Sequence, residues 1–490
     1  AFIQRYAQLL FPRFQSFGFI FLAIIEFEIG IRRINYIQSV FPVIVFFHFG
    51  NFISSINLGY KRQSRIVKFK NRFHLPLLPP FAIFVEFFFN YKIPAMKNIR
   101  TAIIGAGYRG RYLITLLQKI NLFNIIAVSD ISPNLSEIIS QLFAGEKIPK
   151  IYNSGTDDYR RMLNENTIDL VIIASPWHLH KGQTIEALKS GCHVAIEVKG
   201  ALDIDEYPDI IHESRQNKKQ VFPLENTLFR NDILAINNMI HAGIFGRLVF
   251  LQGGYRHDLT HILIDQTGNF GVQNGSESEW RSKYYETENG DLYPTHGLAP
   301  LCMFLDINHT DYIKSITSFS TKPGLGLHAC MAKRKGLKYT DIQQHIFRMG
   351  DVVTSILQTD SGAQINLLHD TTLPRPRSLN YEVQGTNGIW NAEKNAIYID
   401  GVSPFEEWEP EDKYIKQYKH RFWQQWESEA LRYDGHHQGM DYIMLRVLGE
   451  ALQGRENYPA TLEDMATWAA VSPYSKISIQ KGTSIPFPHF

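Results

Sequence analysis

The chain has 490 residues, a formal net charge of +2 and only three cysteines, Cys192, Cys302 and Cys330. An odd number of widely spaced cysteines excludes a disulfide framework and a cysteine zinc site, and the length allows two or three domains with ample core. The near-neutral total hides two unlike parts. Residues 1–95 carry 11 Lys and Arg against Glu26, Glu28 and Glu86, a net of +8, whereas 96–490 carry 39 basic and 45 acidic residues, a net of −6.

Nineteen of the 33 Phe fall within 1–95, that stretch has no Asp, and the first methionine is Met96. This Phe, Ile, Asn and Lys bias is what AT-rich non-coding DNA gives when translated. Residues 1–95 are therefore expected to be upstream translation, or a disordered hydrophobic extension, with the working protein starting at Met96. A membrane anchor is the rival reading. The uncharged run 34–60 is interrupted by Pro42, His48, Asn51, Ser54, Ser55 and Asn57, whereas a spanning helix needs about 20 mostly apolar residues. No secretory cleavage pattern is recognisable. For 96–490 neither a membrane nor a nucleic acid is an expected partner. The expected location is the cytoplasm, or the periplasm should the true N-terminus be missing.

From Met96 to about Gln220, apolar runs at 99–105, 124–129, 169–174, 192–197 and 220–222 alternate with helical patterns at 108–120, 134–143, 155–163, 180–190 and 204–216. That order predicts βαβ units and a parallel sheet. The first run enters Gly105-Ala-Gly107-Tyr108-Arg109-Gly110, and Asp130 closes the second run. This is a dinucleotide fingerprint in its proper context. Gly105 permits the turn, Gly107 the approach of a pyrophosphate, and Gly110 the packing of helix on strand, while Asp130 would hold the adenosine ribose and favour NAD. Ser175, Pro176, Trp177 and His178 form a loop at the carboxyl end of the 169–174 strand, where ligands of such sheets bind. His178 and His180 have no cysteine or carboxylate at ligand spacing, so no metal is expected.

After residue 221 the pattern changes to long alternating runs at 247–256, 311–321, 351–359, 364–369 and 381–384, with a turn at 385–388. The fold class is thus α/β: an N-terminal Rossmann domain (96–220) and a C-terminal α+β domain (221–490) with an open, mostly antiparallel sheet. Residues 405–434 read as an exposed helical insertion, with Trp408, Trp423 and Trp426 packing it. A last amphipathic helix at about 439–454 is expected to precede an irregular tail.

A Rossmann half, an open sheet half and a Glu ending the fifth strand resemble the Gfo/Idh/MocA family of sugar-handling NAD(P) proteins. Members usually carry Glu-Lys-Pro there, with the lysine near the reacting carbon. This chain has Glu197-Val198-Lys199, with Lys199 expected on the other side. A closer resemblance runs from Trp280-Arg281 through Asn289-Gly-Asp-Leu-Tyr-Pro-Thr-His-Gly297, with Met349 to Val353, Val383 to Thr386 and Gly435 to Asp441. These segments are similar to glycoside hydrolase family 109, the NAD-dependent α-N-acetylgalactosaminidase group.

That resemblance implies NAD contacts from Tyr108, Arg109, Asp130, Ser175 to His178, Glu197, Val198 and Asn226. It implies sugar contacts from Tyr255, Arg281, Tyr293, Pro294, Thr295 and His296. Arg377 stands where the family has a tyrosine, and Tyr381 is the candidate substitute. The implied chemistry oxidises sugar C3 transiently, removes the C2 proton, eliminates the aglycone, adds water and restores C3, with NAD tightly bound and recycled. His296 is the first candidate for one proton transfer, and Tyr255 and Tyr293 for the other. Arg281 would hold a substrate oxygen or pair with Glu277, Glu279 or Glu286. His436-His437 sits in a glycine-flanked turn that reaches either the site or the surface. The partner is a small-molecule or glycan substrate, with a homo-oligomer through the C-terminal sheet as a further expectation. The alternatives are an NAD-dependent sugar or cyclitol oxidoreductase and a non-catalytic NAD-liganded protein.

Overall fold

The structure is a computed structural model that describes residues 98–271 and 276–490. The expectation for 1–95 lies outside the described residues. Among the described residues no helix is long and apolar enough to cross a membrane.

The first half is built on six strands: β1 (Ile99–Ile104), β2 (Phe123–Ser129), β3 (Lys150–Tyr152), β4 (Leu170–Ile173), β5 (His193–Ile196) and β6 (Val221–Pro223). They pair in parallel in the order β3-β2-β1-β4-β5-β6. All four residues of β4 are buried, as expected of a strand covered on both faces. The covering helices are α1 (Tyr108–Leu117), α2 (Leu135–Leu142), α3 (Asp158–Glu165), α4 (His180–Lys189) and α5 (Glu206–Asn217). Strand order reverses between β1 and β4, which opens a crevice at their carboxyl ends. The three-residue β3 is too short to give a periodic signal, and the sequence reading has no strand there.

The second half begins with α6 (Asn231–His241). It holds strands β7 (Leu248–Arg256), β8 (Ile313–Ser320), β9 (Val352–Thr359), β10 (Gln364–Asp370), β11 (Glu382–Gly385), β12 (Gly388–Asn391), β13 (Ala396–Ile399), β14 (Glu409–Pro410) and β15 (Ile485–Pro486). Their order is β14-β13-β12-β11-β7-β10-β9-β8-β15, antiparallel except for the β7–β10 pair. The helices here are α7 (Glu277–Thr287), α8 (Thr295–Leu305), α9 (Leu325–Lys335), α10 (Asp412–Gln417), α11 (Arg421–Tyr433), α12 (Met440–Leu452) and α13 (Leu462–Lys481). Helix α8 lies directly on β7 through glycine. A Cβ at Gly253 would stand 2.3 Å from the Gly297 carbonyl oxygen, so only glycine allows this approach. The contact brings His296 down beside Tyr255.

Two expectations are corrected. The tail is not irregular, because α13 follows α12, opening with a capping box between Thr461 and Asp464 and ending at Gly482 in the left-handed region. It packs on β8 and α8 of one half and on β6 and α5 of the other, and the Ala201 N–H donates to the Ala469 carbonyl at 2.9 Å. The 405–434 segment is not an exposed insertion throughout. Phe422, Trp423, Trp426 and Ala430 form one buried stripe of α11 against α12, and Trp423 Nε1 donates to the Phe229 carbonyl at 2.8 Å. Its polar composition reflects the opposite face alone.

Candidate active site

The glycine-rich turn has the geometry of a phosphate cradle. A Cβ at Gly105 would lie 2.6 Å from both Ala174 C and Ser175 N, and Gly105 has φ +94°, so the two strand ends meet only through glycine. A Cβ at Gly110 would strike the Gly105 carbonyl oxygen at 1.9 Å, whereas one at Gly107 would meet nothing within 4 Å. Open space therefore faces the start of α1, whose first N–H groups have no side-chain cap. At the end of β2, Asp130 accepts from the Ala106 N–H at 2.6 Å and the Ser132 N–H at 2.8 Å. These residues fit a dinucleotide pyrophosphate and its ribose.

Arg109 does not point into that space. Its Nε donates to Glu197 Oε1 at 2.7 Å, and its two terminal nitrogens straddle Asp441 at 2.7 and 2.8 Å. Asp441, on α12, also accepts from Asn226 Nδ2 at 3.0 Å and lies 2.7 Å from His437 Nδ1. Burial opposes ionisation of Asp441, yet Arg109 and His437 outweigh it and hold the carboxyl far below its ordinary range. Burial pushes the Glu197 carboxyl up despite Arg109. Asn226 Oδ1 is buried without a partner among the described residues. His436 meets the exposed Tyr108 hydroxyl through Nε2 at 3.2 Å, so the histidine turn sits over the glycine-rich loop.

Ser175 Oγ donates to Gln183 Oε1 at 2.5 Å, and its carbonyl accepts from His180 Nε2 at 2.8 Å. Burial, then the Lys199 charge, press His180 down to about 3, so it is a neutral structural donor. His178 is exposed after Pro176. Val198 is buried directly after Glu197, and Lys199 turns away to pair with Glu206 at 2.5 Å in a fully buried contact.

Across the cleft, His296 Nδ1 lies 2.7 and 3.0 Å from the two oxygens of Glu225, which also accepts from Thr227. A carboxylate cannot donate, so Nδ1 carries the hydrogen, and in the neutral ring the lone pair is on Nε2. Among the described residues Nε2 has no partner. Burial would raise the Glu225 carboxyl, but His296 and Thr227 keep it below the usual range. Ring centroids of Tyr293 and Tyr255 lie 4.9 and 5.8 Å from His296 and 4.7 Å from each other. Burial raises both phenols, with Arg281 opposing the rise, so they keep their protons and act as donors in this setting rather than as bases.

Trp177 reaches into the second half, 5.0 Å from Trp280 and 5.7 Å from Tyr293, with the Arg281 guanidinium 4.5 Å above its ring. Arg281 also pairs with Glu277 at 2.7 Å, one of the acids the sequence offered it. Pro294 and Thr295 open α8, and the Thr295 hydroxyl is buried without a partner among the described residues. Tyr381 lies behind the site. It is buried, stacked on Trp390, and donates its hydroxyl to the His296 carbonyl.

Sequence reasoning missed Glu225 and Asp441. Glu225 stands two residues beyond the end of β6, a place where a carboxylate is informative, but nothing local linked it to His296 seventy-one residues on. Among the described residues one group, Asp434, His437 and Asp441, brings metal-type donor atoms within 4.8 Å of one another. Arg109 covers both Asp441 oxygens, and Asp434 accepts from Tyr112 and from the Asp441 and Tyr442 N–H groups, which leaves no free carboxylate for an ion.

The first half is an NAD-binding Rossmann domain. The family profile described as "Oxidoreductase family, NAD-binding Rossmann fold" matches residues 99–224. A myo-inositol 2-dehydrogenase from Lactobacillus plantarum shares the fold with TM-score 0.54 at 14% identity, covering 80% of this chain and 100% of its own. An NAD-binding oxidoreductase from Klebsiella pneumoniae gives 0.59 at 15%, with the same coverage. The profile "Glycosyl hydrolase 109, C-terminal domain" matches residues 229–490. A glycosyl hydrolase family 109 protein of Stenotrophomonas maltophilia (strain K279a) is 34% identical over 408 residues, 80% of this chain and 89% of its own length. An alpha-N-acetylgalactosaminidase of Tannerella forsythia is 33% identical over 416 residues, 81% and 88% respectively. The chain belongs to glycosyl hydrolase family 109 and is a glycoside hydrolase with an NAD-binding Rossmann domain.

Proposed function

We propose that the protein hydrolyses α-linked N-acetylgalactosaminides, or closely related sugars, by a redox-neutral route in which a tightly held NAD is recycled. The observation that carries this reading is His296: an imidazole anchored by a buried carboxylate, with two tyrosine rings beside it. When bound, the dinucleotide supplies a reversible two-electron oxidation of a sugar carbinol. The protein's own part is orientation and proton movement. His296 Nε2 takes a proton from the sugar, Glu225 stabilises the imidazolium that forms, and the Tyr255 and Tyr293 hydroxyls donate to sugar oxygens. Arg281, with its guanidinium over the Trp177 ring, holds an acetamido or hydroxyl oxygen through its donor fork.

The state of the carboxylates supports this route over ordinary two-carboxylate glycoside hydrolysis. Glu197 and Asp441 share Arg109, and Glu225 is engaged by His296, so none of the three is a free acid or nucleophile. The alternative, a net sugar or cyclitol oxidoreductase, is weakened by Val198 at the usual lysine position and by the burial of Lys199 against Glu206.

The test is incubation of the full chain, as purified, with a chromogenic α-N-acetylgalactosaminide and no added cofactor. Chromophore release without accumulation of reduced nicotinamide supports the proposal. Reduced nicotinamide building up on free sugar would assign the oxidoreductase reading instead. In D₂O, deuterium must appear at C2 of the product; its absence removes the elimination step.

A further inference from the structure

We propose that Arg377 centres an oxyanion subsite beside Arg281, on the outer wall of the sugar cleft. The preferred substrate is then a negatively charged amino-sugar glycoside, with the charge on the sugar or on its neighbour. The proposal rests on the glycosidase reading above and names its substrate class.

The geometry comes from strand pairing. Tyr255 and His257, two apart at the end of β7, face the same side. Arg256 and Ser378 form an antiparallel bridge, with N–H···O distances of 3.1 and 2.8 Å. That register sets Arg377 opposite His257 and on the same side as Tyr255. The Tyr255 hydroxyl lies 3.5 Å from His257 Nδ1, and Arg281 and Arg377 both act electrostatically on Tyr255 and on His257. Two guanidiniums thus converge beside the tyrosine next to His296.

The acids around them are committed. Glu277 pairs with Arg281, Asp370 with Arg375 and Arg256, and Asp258 accepts from Thr260. Arg377 is exposed and has no carboxylate partner among the described residues. Burial, then Arg377, presses His257 down to about 4, so at neutral pH it is an uncharged hydrogen-bonding group beside the cation. A planar guanidinium without a counter-charge, next to a neutral donor and the sugar site, suits a sulfate or carboxylate bound through two parallel hydrogen bonds.

The experiment is calorimetric titration of the NAD-loaded full chain with three ligands: N-acetylgalactosamine, its 6-sulfate, and its disaccharide with glucuronic acid. We expect at least one acidic ligand to bind about tenfold tighter than the neutral sugar. Preference for the sulfate places the charge on the ring, and preference for the disaccharide places it on the neighbour. The advantage should shrink in Arg377→Gln and at about 0.5 M salt. Equal affinities, or a preference that survives Arg377→Gln, overturn the subsite while leaving the sugar site standing. Failure of all three ligands to bind overturns the subsite and the glycosidase reading together.

Discussion

Glu225 follows the last strand of the parallel sheet and His296 lies in the first turn of α8, yet the imidazole Nδ1 sits 2.7 Å from one carboxylate oxygen and 3.0 Å from the other. This contact fixes which ring nitrogen is available for proton transfer. Glu225→Gln keeps an acceptor of the same size but removes the charge that stabilises a protonated ring. We expect kcat to fall about 10²-fold with little change in KM, measured on a chromogenic substrate. A raised KM at constant kcat would make Glu225 a binding residue instead.

The cradle glycines separate folding from cofactor binding. Gly107→Ala adds a methyl into open space, so the melting temperature without cofactor should stay within about 2 °C. Its affinity for NAD should nevertheless fall at least about tenfold, because the methyl occupies the pyrophosphate approach. Gly105→Ala instead meets Ala174 and Ser175 at a positive φ and should unfold more readily, by about 2 kcal/mol or more. Calorimetry and thermal melting of both variants check the pair.

Asp291 is buried two residues before Tyr293, and burial pushes its carboxyl up to about 7 against the pull of the Tyr293 N–H. The folded chain then holds a proton that the unfolded chain has lost. Its contribution to stability is full below about pH 4 and is lost as pH rises toward about 7, on the order of a few kcal/mol. Asp291→Asn should flatten that part of the pH dependence. Equal slopes in the variant and the parent, from melts across this window, would show that Asp291 is ionised in the fold.

Tyr381 spans Glu225's neighbourhood and the sheet through one hydrogen bond to the His296 carbonyl. Tyr381→Phe should cost about 1 kcal/mol of stability and leave KM nearly constant. A KM increase of about tenfold would restore the substrate contact implied by family resemblance.

The cofactor half was readable because its signals are local. A buried apolar run, glycines at fixed offsets and an acid at the next strand end all lie within 98–130. Tyr293 and His296 could be placed by their own short motif, and the geometry brings them together with Tyr255, Arg281 and Trp177. What stayed hidden depends on distance. Glu225, Asp441 and Asp291 look like ordinary surface acids until the chain folds and buries them. Helices α6, α7 and α9 have no place in the sequence reading, and α8 enters it only as a helix following the Tyr-Pro-Thr-His motif. Most of the residues of α8 are buried, so it has no polar face to give a helical period. The tail helix α13 hides its period in the same way, with its first ten residues almost all buried.

That helix has a thermodynamic consequence. A single rod forms part of the core under two different sheets, so neither sheet keeps its hydrophobic cover if the other melts. Heating or denaturant should therefore meet one cooperative block, giving a single transition for the sugar and cofactor halves alike. Fragments cut near the linker between them would each be left with an exposed apolar wall.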